Sequence, residues 1–174
     1  MGVGEGLTQM TMGEQQPPVG SIIGSQEQLG ELYLVPGRIA AAKKTAVLDQ
    51  ATAEFVARSP FVLIATLGAD GGLDVSPRGG PAGFVRVLDD HHLALPDLNG
   101  NNLIDSIRAV VASGRAGLLF VVPGKDETVR VNGPAWVTTD AATLDRWDDE
   151  LRRPTTAIVV RVEEVFMHCA KALS

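Results

Sequence analysis

The stretch FVLIATLGADGGLDVSP, residues 61–77, decides the fold of this chain. Its first part, residues 61–67, is a short unbroken apolar run, which indicates a buried strand. GADGG at 68–72 has the glycines and the aspartate of a hairpin turn, and LDVSP starts the return strand. We therefore predict that the chain builds an antiparallel sheet.

Similar strand signals continue along the sequence. The further predicted strands are residues 84–89, 91–97, 115–122, 127–139 and 155–168. The first four strands of the chain are interpreted as a meander, and the total is about seven. Because strands joined by hairpins dominate, the predicted fold class is mainly β with flanking helices, with an antiparallel sheet that curls toward a barrel.

Helical periodicity fills most of the remaining sequence. Helices are predicted over residues 25–35, 38–59, 101–114 and 140–151. Asp49 is the expected N-cap for the second half of the 38–59 run, which Ser59 and Pro60 end. Thr139 or Asp140 is expected to cap the last helix.

Length and composition limit the protein's class. The 174 residues (18.3 kDa) predict one domain at residues 21–174 behind a flexible tail at 1–20, which is rich in Gly, Gln and Pro. With 15 basic and 21 acidic residues the net charge is −6, which argues against nucleic acid as the main partner. A single cysteine favours a reducing compartment, and no apolar run reaches about 18 residues. We therefore expect a cytoplasmic protein without a membrane span.

The segment LPDLNGNNLIDSI, residues 95–107, is typical of an anion site. A strand leads into an Asn-Gly turn, and a helix follows whose cap is expected at Asn101 or Asn102. Free N–H groups and the helix dipole at such a place suit a phosphate. The alternative is a plain asparagine cap. In this helix Val110 is expected on the buried face, with Ser106 pointing away.

The second informative segment is DVSPRGGPAGF, residues 74–84. Glycine and proline are unusual inside a strand, and such a sequence brings the backbone close to a ligand or bends the sheet. Arg78 can offer a fork of N–H donors to a phosphate or a carbonyl. The alternative is a surface arginine beside a bulge.

The acidic and histidine run at 89–92 contains metal-ligand residue types. Adjacent residues of a strand point to opposite faces, so Asp89, Asp90, His91 and His92 cannot converge on one ion without a kink. We interpret them as a solvated turn and predict no metal site. Trp136 and Trp147 are interpreted as packing residues.

Four motifs in order carry a resemblance to a known family. They are DVSPRGG, LPDLNGNN, GLLFVVPGKDETVRVNG and VEEVFMHCAKAL, within residues 22–173. The chain resembles the FMN-binding split-barrel proteins related to pyridoxamine 5′-phosphate oxidase, in particular the family's bacterial subgroup of FMN-dependent enzymes. The resemblance implies a six- to seven-stranded antiparallel split β-barrel. It also implies a homodimer that holds FMN in clefts between the subunits.

The resemblance also implies which residues contact the cofactor. These positions are Ser76, Pro77, Arg78, Gly79, Leu95, Pro96, Asn101, Asn102, Leu103, Thr128, Arg130, His168 and Lys171. Thr128 and Arg130 fall on a strand that often comes from the neighbouring subunit, and His168 or Lys171 is expected to place a cation near the flavin ring. At Leu103 relatives commonly carry Arg or Lys, and losing one charge-assisted phosphate contact costs about 1.5 to 3 kcal/mol.

The functional hypothesis is an FMN-dependent oxidoreductase that acts on a small molecule of unknown identity. No residue is assigned as a catalytic acid or base. One alternative is a non-catalytic flavin-binding or stress-related protein. Another is a split barrel that uses a deazaflavin or haem.

Overall fold

The computed structural model describes residues 22–33, 44–98, 104–147 and 152–168. The chain divides into two units, Met1–Pro36 and Gly37–Ser174. In the first, helix α1 (Gln26–Leu32) is capped by Ser25, whose hydroxyl accepts the N–H of Gln28 at 3.3 Å, and none of its residues is buried. The expected tail boundary at residue 20 lies outside the described residues.

The second unit is an antiparallel β structure with a few helices, which confirms the predicted fold class. Its elements in chain order are α2 (Gln50–Arg58), β1 (Phe61–Leu67), β2 (Leu73–Gly79), β3 (Arg86–Asp89), β4 (His92–Pro96), α3 (Asp105–Ser113), β5 (Arg115–Val121), β6 (Thr128–Thr138), α4 (Ala141–Leu144), a 3-10 helix (Asp145–Trp147), β7 (Ala157–Arg161) and β8 (Glu164–His168). The strand order is β2-β1-β5-β6-β7-β4-β3, and β8 also pairs with β6. The hairpin at 61–77 forms as predicted, with every residue of β1 paired to β2.

Strand β6 joins the two halves of the sheet. Its residues 128–134 pair with β5, and its residues 135–138 pair with β7. Its first half also carries β8 on the other side, from Thr128 opposite His168 to Asn132 opposite Glu164. The crossing point is Gly133, which lies against the backbone of Arg161. A long strand that serves both halves is what allows the sheet to fold around one core.

Two strand predictions are wrong because they depend on partners that are distant in the sequence. The first four strands are not a meander, because β1–β2 and β3–β4 are separate hairpins at opposite ends of the strand order. The single strand predicted at 155–168 is two strands, so the described residues form eight strands. The break falls at Val162 and Glu163, whose N–H groups donate to the carbonyls of His91 and Asn132 at 2.8 and 3.0 Å.

The helix predicted at 38–59 is shorter than expected in its described part. Residues 44–49 are not helical, since Thr45 forms a bridge with Val165 instead. The predicted cap at Asp49 is confirmed: its carboxylate accepts the N–H of Thr52 at 2.8 Å. Asp140 caps the last helix by accepting the N–H of Thr143, and a 3-10 helix continues it to Trp147. The rest of the predicted 140–151 helix lies outside the described residues.

The core fills the inner side of the folded sheet. The largest fully buried side chains of its main cluster include Val56, Val62, Ile64, Val110, Leu118, Phe120, Val129 and Val131. A smaller cluster surrounds Trp147, whose indole N–H donates to the carbonyl of Phe84 at 2.7 Å. Trp136 is different, with 43% of its surface exposed. Because the interior is filled by side chains, a ligand has to bind at the rim or on the outer surface.

Candidate functional site

Strand β2 presents different residues on its two faces. Asp74, Ser76 and Arg78 are partly buried, whereas the residues between them are exposed. β2 is the edge strand at one end of the order, which is where a proline such as Pro77 is tolerated. The polar residues at alternate positions therefore share the face that turns toward helix α3.

A hydrogen-bonded network ties this face of β2 to α3. Arg78 Nη2 donates to Ser106 Oγ at 3.1 Å, and Nη1 donates to the carbonyl of Pro77 at 3.0 Å. The hydroxyls of Ser106 and Ser76 both donate to Asp74 Oδ2, at 3.3 and 2.8 Å. The guanidinium forms no ion pair within the described residues, and its remaining N–H groups are available. The network therefore orients the guanidinium through a serine hydroxyl, with the Asp74 carboxylate held on the other side of that serine.

Sequence reasoning missed the role of Ser106. The helix was expected to turn this serine away from the core, but only 1% of its surface is exposed. Amphipathic analysis assumes that the buried face is apolar, and here the buried position is polar because it faces Asp74 and Arg78. Val110 is buried as predicted, whereas Val111 on the expected face is 71% exposed.

Arg78, Leu95 and Pro96 come together at one narrow crevice. β4 delivers Leu95 and Pro96 to it, and Ile64, Asp97, Ile107 and Ile158 complete the lining. The segment that follows β4 includes the predicted residues Asn101, Asn102 and Leu103, which lie outside the described residues. The predicted asparagine cap is wrong, because α3 begins at Asp105 with Ile104 at the N-cap position and no side-chain cap.

The two glycines after Arg78 differ in how much space a side chain would find there. A Cβ at Gly80 would lie 2.8 Å from Phe84, so packing explains this glycine. A Cβ at Gly79 would touch only the carbonyl of Pro60, at 3.4 Å, which is an ordinary contact. Neither glycine by itself indicates a close approach by a ligand.

The predicted residues Thr128, Arg130 and His168 lie on the outer face of the sheet. We use "outer face" for the surface marked by the row Pro77, Leu63, Leu119, Arg130 and Phe166, which are opposite one another across five neighbouring strands. The next row along, which begins with Arg78 and contains buried Val62 and Phe120, faces the core. Arg78 and Arg130 therefore lie on opposite faces, separated by three strand spacings, or about 14 Å.

Arg130 is the centre of a charged cluster on the outer face. Its Nη2 donates to Glu164 Oε1 at 2.7 Å, and Lys44 Nζ is 2.8 Å from Glu164 Oε2. The guanidinium lies 5.8 Å from the centroid of the Phe166 ring, which in turn meets His168 edge-on at 4.5 Å. The Nε atom of Arg130 is buried and has no hydrogen-bond partner within the described residues. The cluster keeps one positive charge in excess.

Two groups of this cluster have shifted pKa values. The hydrogen bond from Lys44, followed by that from Arg130, lowers the pKa of Glu164 against the opposing effect of burial. Burial, followed by the charge of Arg130, lowers the pKa of His168. The lowered pKa favours the neutral imidazole of His168 over its protonated form. Lys171 lies outside the described residues.

The Glu164 shift predicts an acid-dependent loss of stability. A carboxylate whose pKa is lowered by folding stabilises the native state fully above its unfolded pKa of 4.5, and this contribution is lost as the pH falls through the lower folded value. Replacing Glu164 with Gln should cost about 1 kcal/mol at pH 7, because the pairs are partly exposed. Denaturant unfolding at pH 7 and pH 3 should show a smaller pH effect in the variant. Equal pH effects in both proteins would contradict this prediction.

The run at 89–92 forms the exposed β3–β4 turn. Asp89 accepts the N–H of His91 at 2.7 Å, and its carboxylate lies 2.9 Å from His92 Nδ1. In the parts of the chain that the structure describes, no group of three or more His, Cys, Asp or Glu side chains is placed to hold a metal ion. No helix in those parts is long and apolar enough to cross a membrane.

The fold and the two clusters define an antiparallel β protein with polar sites at its rim and on its outer face. The sequence profile described as "Pyridoxamine 5′-phosphate oxidase" matches residues 48–169. The chain therefore belongs to the pyridoxamine 5′-phosphate oxidase-related family of FMN-binding split-barrel proteins. No curated protein matches it in sequence.

Solved structures share the fold. A Lactobacillus delbrueckii protein assigned as a candidate pyridoxamine 5′-phosphate oxidase is 24% identical, with a TM-score of 0.55 over 71% of this chain and 98% of that chain. HupZ of Group A Streptococcus is 18% identical, with a TM-score of 0.55 over 68% of this chain and 92% of that chain. PhzG of Burkholderia lata, solved with tetrahydrophenazine-1-carboxylic acid, is 15% identical, with a TM-score of 0.50 over 69% and 75%. At these identities the likeness establishes the fold alone.

Proposed function

We propose that two copies of this chain bind FMN in the clefts between them and use it for oxidoreduction of a small molecule. The observation that carries the proposal is the Arg78 guanidinium, which Ser106 holds at 3.1 Å beside the Leu95 and Pro96 crevice without an ion pair in the described residues. An oriented arginine with free N–H donors suits a phosphate monoester. The chemistry of the donor set therefore fits the phosphate end of FMN.

The opposite positions of Arg78 and Arg130 support a two-chain site. Within one chain they lie on different faces of the sheet, so one ligand cannot reach both groups without passing around the edge strand β2. A second copy packed on the outer face would bring its own Arg130, Thr128 and His168 toward the β2 edge of the first. Each cleft would then combine the β2 residues of one chain with the β6 and β8 residues of the other.

The apolar surface of β1 and β2 supports the same arrangement. Leu73 and Val75 are 82% and 60% exposed, and Leu67 is 42% exposed. Adjacent exposed apolar side chains of this size mark an interaction surface. Their position on the outer face, in the same sheet as the Arg130 cluster, is consistent with a self-complementary contact.

The residues have distinct roles in the proposed reaction. FMN, when bound, supplies the electron or hydride transfer. Arg78 and Ser106 hold its phosphate, and Asp74 orients Ser106 through the hydrogen bond at 3.3 Å. Arg130 of the neighbouring chain offers a positive charge, and the neutral imidazole of His168 can donate or accept one hydrogen bond. The single cysteine favours a cytoplasmic location for this chemistry.

Titration of the purified protein with FMN tests this function. Binding should quench flavin fluorescence and raise the melting temperature, because a ligand that binds only the native state stabilises it. Reduction by NADH or NADPH followed by reoxidation over many turnovers would establish the oxidoreductase. A bound flavin that stays inert would indicate a flavin-binding protein instead, and neither quenching nor stabilisation would refute the proposal.

A charge on the outer face should separate the two copies. We expect Val75→Asp to raise the dimer dissociation constant by more than about 100-fold, because an unpaired buried charge costs about 3 kcal/mol or more. Val75 is exposed on an edge strand, so the chain should still fold. Val111→Asp, at a 71% exposed position on α3, is the matched control and should sediment like the wild type. An unchanged dimer in Val75→Asp would argue against this interface.

A further inference from the structure

A second crevice adjoins that of Arg78 at the end of β4. Its lining residues are Asp97, Leu98, Arg152, Arg153, Pro154 and Thr155. Asp97 lines both crevices, and its N–H donates to the carbonyl of Thr156 at 2.9 Å. This bond continues the pairing of β4 with β7, in which Pro96 lies opposite Ala157. The segment before β7 is thereby fixed beside the residues that lead into the 99–103 segment.

The two arginines of this crevice differ in what binds them. Arg153 Nε donates to Asp145 Oδ1 at 2.7 Å, so its positive charge is paired with a carboxylate of the 3-10 helix. Arg152 is exposed and forms neither an ion pair nor a hydrogen bond within the described residues. Among the described residues it is thus an unpaired cation, in the crevice that shares Asp97 with the Arg78 site.

The charges that line the two crevices indicate which kind of ligand Arg152 suits. A phosphate monoester carries about −1.5 to −2 charges at pH 7, and Arg78 offers only one positive charge. Asp97 adds a negative charge to the lining of both crevices, and Asp74 adds another to the network that holds Arg78. Position 103, where the family resemblance implies a cation, is a leucine in this sequence. A dianion held by Arg78 alone would therefore be under-compensated.

We propose that Arg152 forms a second phosphate-binding subsite, which takes the phosphate monoester of the cofactor together with Arg78. This inference rests on the proposed function. It assigns to Arg152 the contact that the leucine at position 103 cannot make. Arg152 approaches from the segment before β7, whereas Arg78 approaches from β2, so the phosphate would be held from two separate elements.

Titrations of the full-length chain with FMN and with riboflavin, which lacks the phosphate, test the subsite. Arg152→Ala should weaken FMN binding about tenfold or more, the effect of one charge-assisted contact, and leave riboflavin affinity unchanged. Arg152→Lys should restore part of the loss. Arg146→Ala is the matched control, because Arg146 is an exposed arginine of the 3-10 helix without an ion pair in the described residues.

The outcomes separate the subsite from the proposed function. If the wild type binds FMN and Arg152→Ala binds it equally well, the subsite is refuted while the proposed function stands. If Arg152→Ala weakens FMN and riboflavin alike, the residue acts on local structure and the subsite is again refuted. If the wild type binds no FMN, the proposed function fails and the subsite with it.

Discussion

Replacing Arg78 with Ala should weaken FMN binding by about 10- to 150-fold. The change removes the one cation among the described residues that line its crevice, together with the donors that Ser106 orients. Charge-assisted hydrogen bonds are worth about 1.5 to 3 kcal/mol each, which sets this range. Fluorescence titration of the full-length variant measures it directly. Riboflavin should bind wild type and variant equally, since the lost contact is to the phosphate.

Three variants control for indirect effects of the Arg78 change. Arg108→Ala removes an exposed arginine from the same helix as Ser106 and should leave FMN affinity unchanged. Arg78→Lys keeps the charge but loses the fork of donors, and should fall between wild type and Ala. Ser106→Ala should weaken FMN by a smaller factor, because it frees the guanidinium without removing it. Equal affinity of Arg78→Ala and wild type would contradict the phosphate role.

Replacing Gly133 with Ala should destabilise the native state by about 3 kcal/mol. A Cβ at this position would overlap the carbonyl oxygen of Arg161, and it would lie 3.0 Å from the carbonyl carbon of Arg161 and 3.1 Å from the amide nitrogen of Glu163. These atoms are backbone, so no side chain can move aside. Gly133 also sits where β6 passes from β5 to β7. Thermal unfolding should show a melting temperature lower by roughly 6 to 12 °C.

Gly117→Ala is the matched control for Gly133→Ala. Gly117 lies opposite Asn132 on the neighbouring strand, and its Cβ would meet Asn132 Oδ1 at 2.9 Å. That atom is the end of a side chain and can shift, so the loss should be about 1 kcal/mol. Equal melting temperatures for the two variants would show that the crossing at Gly133 tolerates a side chain.

The local parts of the fold could be predicted from the sequence. The hairpin at 61–77 rests on an apolar run and a glycine-rich turn, both of which act between neighbours in the chain. The cap at Asp49 likewise depends on a bond to Thr52, three residues on. The strand order could not be predicted, because the partners of β1 and β4 are β5 and β7, which follow after long intervals. The break at Val162 depends on His91, which is equally distant.

The residues of the candidate site likewise divide into those that could be predicted from the sequence and those that could not. Arg78 was identifiable because arginine, proline and glycines are out of place in a strand. Ser106 was not, because a buried serine in a helix leaves no mark in a hydrophobic pattern. The Arg130 cluster depends on the pairing of β6 with β8, which appears only when the predicted 155–168 strand breaks into two. The role proposed for Arg152 could not be predicted from the sequence, because it depends on the crevice that this residue lines.

Sedimentation of the protein mixed with FMN, followed in the flavin absorption band, tests the central claim most directly. We expect flavin to sediment with a dimer at one FMN per chain. We further expect Val75→Asp, which should be monomeric, to lose the flavin together with the dimer. Flavin that sediments with a monomer would contradict the two-chain cleft, and flavin that remains unbound at any protein concentration would contradict the assignment of FMN itself.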